Sequence, residues 1–71
     1  MVNSKKLKDR AKSLGIRQVD IAKALDLQQS TVNQKLNNVR PMTLQEAETI
    51  AEILKITGEE FASYFFAGSV A

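Results

Sequence analysis

The sequence contains no cysteine and no histidine among its 71 residues. Without cysteine the fold can hold neither a disulfide nor a thiolate metal site, and without histidine the commonest zinc ligand is missing. No apolar run approaches the roughly 18 residues of a membrane helix, and no hydrophobic signal core follows the lysine-rich start. We therefore expect a soluble, intracellular protein that binds no metal and no cofactor.

Proline, glycine and alternating apolar residues are also scarce. The chain has one proline and three glycines, and its apolar residues recur at spacings of three and four, which predicts helices rather than strands. Its length suffices for one small domain with a modest core. The predicted fold class is all-α, a compact bundle of about five short helices. We expect a single domain over residues 1–67 and a frayed tail over residues 68–71.

The chain has only a small excess of positive charge, but its basic and acidic residues are unevenly distributed along the sequence. The net charge is +2, made up of ten basic and eight acidic residues. Residues 1–40 carry nine basic and three acidic side chains, a net +6, and the remaining residues carry one basic and five acidic side chains, a net −4. This arrangement is expected if the first part faces phosphate groups and the second faces solvent or a partner.

Two short amphipathic patterns joined by a turn lie within residues 18–38. Asp26 suits the turn, and the small side chain of Ala22 permits two helices to cross closely. The apolar residues that share one face of the two helices are Ile21, Ala22, Leu25, Leu27, Val32 and Leu36. We predict a helix-turn-helix whose second helix covers about residues 28–36.

The second helix of this motif is rich in amide and hydroxyl side chains. An amide offers a donor and an acceptor together, as an adenine edge in the major groove requires, and a serine can serve several bases. A polar face that is merely solvated is the simpler interpretation. If the helix reads DNA, the base-reading candidates are Gln28, Gln29, Ser30, Asn33 and Gln34.

Residues that flank the motif are candidates for phosphate contacts. A helix N-terminus presents unpaired N–H groups and a partial positive charge, so a phosphate can dock where the first helix of the motif begins. The candidates are Arg17, Gln18, Asn37 and Arg40, with Lys6 from the basic first helix of the chain. The alternative for Lys6 is a solvated surface lysine, and for Arg40 a surface charge paired with a glutamate.

Capping residues indicate where the other helices begin. The first helix should start at Asn3 or Ser4 and end before Gly15. Capping boxes at residues 43–46 and 57–60 should start the last two helices. The residues expected to be buried in the first and fourth helices are Leu7, Ala11, Leu14, Leu44, Ala47, Ile50, Ala51 and Leu54.

Three aromatic residues are consecutive near the C-terminus: Tyr64, Phe65 and Phe66. Consecutive helical positions cannot all face one core, so at least one ring should be exposed. The residues that follow can fold back over the rings. Alternatively, the rings form a dimer or partner surface.

The helix-turn-helix resembles the Cro and repressor domains of temperate phages and their bacterial relatives, from Leu7 to about Phe61. The residues that carry the resemblance are Gln18, Ile21, Ala22, Leu25, Leu27, Val32, Leu36, Asn37, Arg40 and Pro41. Asp26 and Asn38 stand where that family usually has glycine, and both residue types tolerate left-handed backbone. Lys35 stands where phage repressors often have an apolar residue.

The resemblance implies a sequence-specific DNA-binding transcription regulator in the bacterial cytoplasm, associated with the nucleoid. It would be a small Cro-like repressor that binds double-stranded operator DNA as a homodimer, with no membrane and no small-molecule ligand. The alternative is a protein-binding module on the same fold, such as an anti-repressor or antitoxin, that uses the acidic, aromatic C-terminal part. An enzyme is disfavoured, because no phosphate-binding loop or nucleophile-base pair is evident.

Overall fold

A computed structural model of the chain describes residues 1–66. These residues form five helices and no strand: α1 (Ser4–Ser13), α2 (Gln18–Leu25), α3 (Gln29–Leu36), α4 (Leu44–Ile53) and α5 (Gly58–Phe65). The all-α fold predicted from the spacing of apolar residues is thereby confirmed. The predicted domain end at residue 67 and the predicted frayed tail lie outside the described residues.

Polar side chains cap three of the helices where the sequence predicts it. Asn3 accepts a backbone N–H of the first turn of α1 (3.1 Å). Thr43 and Thr57 each accept the N–H of the glutamate three residues on, and the carboxylates of Glu46 and Glu60 accept the threonine N–H groups in return (2.9 and 3.3 Å). The backbone N–H of Thr57 also lowers the pKa of Glu60 below its ordinary value. Both capping boxes are therefore formed.

A residue with left-handed backbone follows each of the first four helices. The φ angles are 71° at Gly15, 55° at Asp26, 62° at Asn38 and 54° at Lys55. The sequence predicts the first three, whereas lysine gives no signal for this conformation. Asn38 does more than replace a glycine, because its side-chain amide accepts the N–H of Val2 (2.8 Å) and donates to the Val2 carbonyl (3.0 Å). These two bonds offset the cost of the left-handed backbone.

The core lies where α2 packs against α3 and α4, and α5 packs against α1. Apolar side chains from all five helices fill it, together with Val2 ahead of α1 and Leu54 and Ile56 after α4. The largest fully buried side chains are Leu7, Ile21, Val32, Ile50 and Leu54. All five belong to the apolar sets that the sequence places on inward faces.

Two leucines that the sequence places in the core are exposed instead. Leu14 is 38% exposed and Leu44 is 61% exposed. Leu14 follows the last residue of α1, and Leu44 is the first residue of α4, a turn ahead of buried Ala47. The prediction fails at both positions because helical periodicity determines burial only where helices on either side cover the turn.

The three consecutive aromatic residues divide between the core and the surface. Tyr64 and Phe65 are 6% and 3% exposed, whereas Phe66 is 47% exposed. The prediction that Tyr64 and Phe65 form a dimer or partner surface is therefore wrong. Adjacent positions can both be buried here because α5 packs against α1 and both rings belong to the hydrophobic core. The N–H of Asn3, ahead of α1, donates to the Tyr64 carbonyl (2.8 Å), and the rings of Phe65 and Phe61 lie 4.6 Å apart.

Candidate nucleic-acid interface

The N-terminal end of α3 presents polar side chains to the outside. Gln28 is the N-cap residue and its side chain makes no capping hydrogen bond. Gln29 and Ser30 begin the helix, and all three side chains are exposed and form no hydrogen bond to another residue within the described chain. On the inward face Val32 and Leu36 are 1% and 3% exposed. Two apolar residues therefore hold α3 to the core while its first turn offers amide and hydroxyl groups outward.

A series of hydrogen-bonded side chains joins α2, α3 and α1. Gln18 Nε2 and Asn37 Nδ2 both donate to Asn33 Oδ1, at 3.4 and 2.9 Å. The Oδ1 atom of Asn37 in turn accepts from Lys8 Nζ and from Ser4 Oγ (3.2 Å). We call these five residues the amide ladder. It connects the first residue of α2 to Asn37, which directly follows α3, and to the exposed face of α1.

The amide ladder brings together three of the predicted contact residues, Gln18, Asn33 and Asn37. It also limits what Asn33 can do. An amide oxygen has two lone pairs, and Asn33 Oδ1 already accepts two hydrogen bonds. Adenine requires a donor and an acceptor together. Asn33 can therefore face DNA only as a donor, through its NH2 group.

Arg17 and Gln18 lie at the start of α2, where the sequence places them. The carboxylate of Asp20 accepts the N–H of Arg17 (2.9 Å) and lies 3.5 Å from Arg17 Nε. The bond from the Arg17 backbone, assisted by the guanidinium charge, lowers the pKa of Asp20 below its usual value. Because that carboxylate stays ionised and offsets part of the Arg17 charge, a phosphate here would depend mainly on the Gln18 amide and the unpaired N–H groups of the first turn.

Three of the five basic residues of α1 have different environments. Lys8 belongs to the amide ladder. Lys6 Nζ donates to Ser63 Oγ (2.8 Å) and lies 4.5 Å from the centre of the Tyr64 ring, so the structure places it beside α5 and away from the other predicted phosphate contacts. Arg10 donates to two carbonyls at the C-terminal end of α4 (2.8 and 2.9 Å) and caps that helix. Sequence reasoning did not single out Lys8, because its partner Asn37 is 29 residues away.

The loop that follows α3 is held by a partly buried ion pair. Lys35 Nζ lies 2.9 Å from Glu46 Oε1 and donates to the Pro41 carbonyl (3.1 Å), and the two charged side chains are only 13% and 18% exposed. Burial raises the pKa of Glu46, but the bonds from Lys35 and from the Thr43 N–H lower it by more, so its pKa is below the ordinary value. The loop that carries the exposed Arg40 is thereby joined to the first turn of α4.

Gln34 differs from the other base-reading candidates. It is only partly exposed. Its carbonyl accepts the N–H groups of Val39 (2.8 Å) and Arg40 (3.3 Å), which turns the chain after α3. Gln34 therefore lies next to the loop, whereas Gln28 and Gln29 lie at the opposite end of the helix.

Other kinds of site find no support in the described residues. Residues 1–66 contain no cluster of three or more histidine, cysteine, aspartate or glutamate side chains that could hold a metal ion. Within the same range, no helix is both long and apolar enough to cross a membrane.

A protein-family model described as helix-turn-helix matches residues 7–61. The match begins within α1 and ends within α5, so it includes both helices of the predicted motif and every residue of the amide ladder except Ser4. Neither a curated protein nor a solved structure matches the chain.

Proposed function

We propose that the protein is a Cro-like phage repressor. The premise is that the chain belongs to the helix-turn-helix family of the XRE type and is a DNA-binding transcription regulator. It acts as a dimer on a pseudo-palindromic operator and blocks polymerase by occupying the promoter. The observation that carries this proposal is the first turn of α3, where Gln28, Gln29 and Ser30 are exposed without a partner in the described chain. Polar groups arranged in this way suit the edges of bases.

Base reading follows from how α3 is held. The helix enters the major groove with its N-terminal end against the bases, as Val32 and Leu36 attach its other face to the core. Gln29, the first residue of the helix, is the side chain best placed to pair with adenine through both of its amide groups. Gln28 and Ser30 contact neighbouring bases.

Phosphate contacts on either side of α3 set its depth and orientation in the groove. Gln18, Asn37 and Lys8 lie together in the amide ladder. Arg17 at the start of α2 and Arg40 in the loop extend this surface in both directions. Such contacts carry no sequence information themselves, but they determine which bases the reading helix can reach.

The size of the domain fits repression by occupancy. Its dimensions are 33 × 24 × 20 Å, and the half-sites of a dimeric helix-turn-helix protein lie about 34 Å apart, one turn of DNA. Two copies therefore cover about two turns of one face of the duplex. A polymerase cannot bind the same face while the repressor is present.

Selection from a random duplex library at moderate salt tests the proposed function. We expect the retained DNA to be enriched in a two-fold symmetric site with half-sites about 10 base pairs apart. If no sequence were enriched and retention fell steeply with salt, the chain would have only nonspecific attraction to the DNA backbone. That result would contradict a sequence-specific repressor.

We expect Lys8→Ala to weaken binding to every DNA sequence alike. Lys8 belongs to the amide ladder, where we place a phosphate contact, and the loss of a phosphate contact affects all sequences equally. The slope of log affinity against log salt should fall by about one. Lys6→Ala removes the same charge two residues away, from a lysine bonded to Ser63, and should change the slope little. Filter binding of both variants across a salt series measures this. Equal effects of the two substitutions would contradict the assignment of Lys8.

A further inference from the structure

A cavity of about 330 Å³ opens between α1 and the start of α2. Its volume lies at the lower end of the range found for small-molecule sites. Its inner lining is apolar and consists of Leu7, Ala11, Ile16, Ile21, Leu36 and Leu54. Ala11 and Ile16 are partly exposed, and the other four are buried in the core. We call this space the α1–α2 cavity. An apolar group that enters it loses contact with water on several sides, which favours binding.

The outer lining of the α1–α2 cavity is basic. Lys8, Lys12 and Arg17 line it and are exposed, whereas no acidic side chain of residues 1–66 lines it. Lys8 and Lys12 are one helical turn apart on α1, where like charges repel each other. The ammonium group of Lys12 has no hydrogen-bond or ion-pair partner within the described chain. Asp20 offsets part of the Arg17 charge from outside the lining. The opening therefore suits an anion.

DNA binding accounts for the basic opening of the α1–α2 cavity but not for its apolar interior. Lys8, Arg17 and Gln18 line the cavity and are among the phosphate contacts proposed above. A phosphodiester is charged and hydrated, so it gains little from an apolar interior. A molecule that joins an anionic head to a short apolar chain uses both parts.

We propose that the α1–α2 cavity binds a small amphiphilic carboxylate, of the class of short-chain fatty acids, and that this ligand releases the protein from its operator. The apolar chain lies against Ala11 and Ile16, and the carboxylate pairs with Lys12 and the neighbouring cations. Because Lys8 and Arg17 then face the ligand instead of phosphate, ligand and DNA compete. This inference rests on the proposed function and adds a regulator to it. It departs from the expectation, given by the family resemblance, of no small-molecule ligand.

Hexanoate is the probe, and heteronuclear NMR spectra of the labelled full chain without DNA measure its binding. We expect saturable shifts of the backbone N–H signals of Ala11, Gly15 and Ile16, with a Kd of about 1–10 mM, since a ligand of so few atoms binds weakly. Acetate has the charge without the chain, and hexanol has the chain without the charge. Each should bind at least about fivefold more weakly than hexanoate.

Two variants test the two parts of the α1–α2 cavity. Lys12→Gln removes the unpaired charge at the opening and should weaken hexanoate binding about threefold. Lys5→Gln is the matched control, because Lys5 is exposed on α1 outside the lining, and it should bind hexanoate as the wild type does. Ala11→Met fills the interior without changing the charge and should abolish hexanoate binding. If circular dichroism shows Ala11→Met to be unfolded, Lys12→Gln decides the question.

Gel shift with the selected operator at constant ionic strength measures the competition. With hexanoate at ten times its Kd, the apparent Kd for the operator should rise about tenfold, because the ligand binds only the DNA-free protein. Acetate at the same concentration should leave the operator affinity unchanged.

The absence of saturable shifts at the cavity, equal binding of hexanoate and hexanol, or equal binding of hexanoate by Lys12→Gln and Lys5→Gln would overturn the ligand site. Unchanged operator affinity in saturating hexanoate would overturn the release from DNA. Failure of the wild type to prefer any operator would instead be a failure of the proposed function. The NMR titration separates these results, because it contains no DNA.

Discussion

A Gln29→Ala variant is expected to lose its preference at one base pair of each operator half-site while it retains its affinity for unrelated DNA. Gln29 is exposed at the first residue of α3 and has no hydrogen-bond partner in the described chain. Its removal therefore costs the fold little. A two-point amide contact to adenine discriminates by about 1–3 kcal/mol, roughly 5-fold to 150-fold in affinity.

The measurement is a repeat of the library selection with Gln29→Ala, followed by titration of the wild-type operator and of unrelated duplex. Gln45→Ala is the matched control, since Gln45 is an exposed glutamine on α4, outside the proposed reading surface, and its sequence preference should remain that of the wild type. Equal loss of affinity for all sequences in Gln29→Ala would contradict direct reading by this residue and would indicate a phosphate contact instead.

Lys35→Ala is expected to have the largest effect on stability. The substitution leaves the carboxylate of Glu46 without its partner in a place where only 18% of the side chain is exposed. Breaking a buried ion pair in this way costs about 3–5 kcal/mol, and because some solvent still reaches Glu46 we expect about 2–3 kcal/mol. For a domain of this size that lowers the Tm by roughly 10–20 °C.

Thermal melting followed by circular dichroism compares Lys35→Ala with Lys5→Ala. The Lys5–Asp9 pair has nearly the same separation, 2.8 Å against 2.9 Å, but its side chains are 87% and 63% exposed. Lys5→Ala should leave the Tm almost unchanged. Similar losses in both variants would show that burial does not control the strength of these pairs.

Combining Lys35→Met with Glu46→Gln removes both charges and should recover much of the stability.

The stability conferred by the Lys35–Glu46 pair should also depend on pH. The pKa of Glu46 in the folded chain is below its ordinary value of about 4.5. The contribution of the pair is therefore fully present above that value and is lost as the pH falls through the lower, folded pKa. The difference in Tm between the wild type and Lys35→Ala should accordingly narrow in acid. A difference that stayed constant down to pH 3 would contradict this origin of the effect.

The helices and their ends could be predicted because the interactions that define them are local. The caps at Thr43 and Thr57 and the left-handed turn at Asp26 each depend on residues within about one helical turn. The polar composition of the first turn of α3 was visible in the sequence for a similar reason, but periodicity did not predict its exposure. Gln29 is three residues before Val32, on the same side of the helix as Val32 and Leu36. It is exposed because it is the first residue of α3.

The roles of some residues near the candidate site could not be predicted, because these residues contact partners that are distant in the sequence. Lys6 and Lys8 are two residues apart on α1, and either could be a phosphate contact by sequence. The packing of α1 decides that Lys6 meets Ser63, 57 residues away, whereas Lys8 meets Asn37. The same applies to Arg10, which lies on the outer face by periodicity but caps α4.

The sequence by itself determined an all-helical domain, the limits of its helices and the polar end of α3, since spacing, caps and turn residues act over a few positions. Only the tertiary structure decided that an amide ladder connects α1, α2 and α3, that Lys35 is paired with Glu46, and that Tyr64 and Phe65 are buried. These contacts depend on the angle and register at which whole helices pack. Many side chains set that packing together, and no short segment of the sequence encodes it.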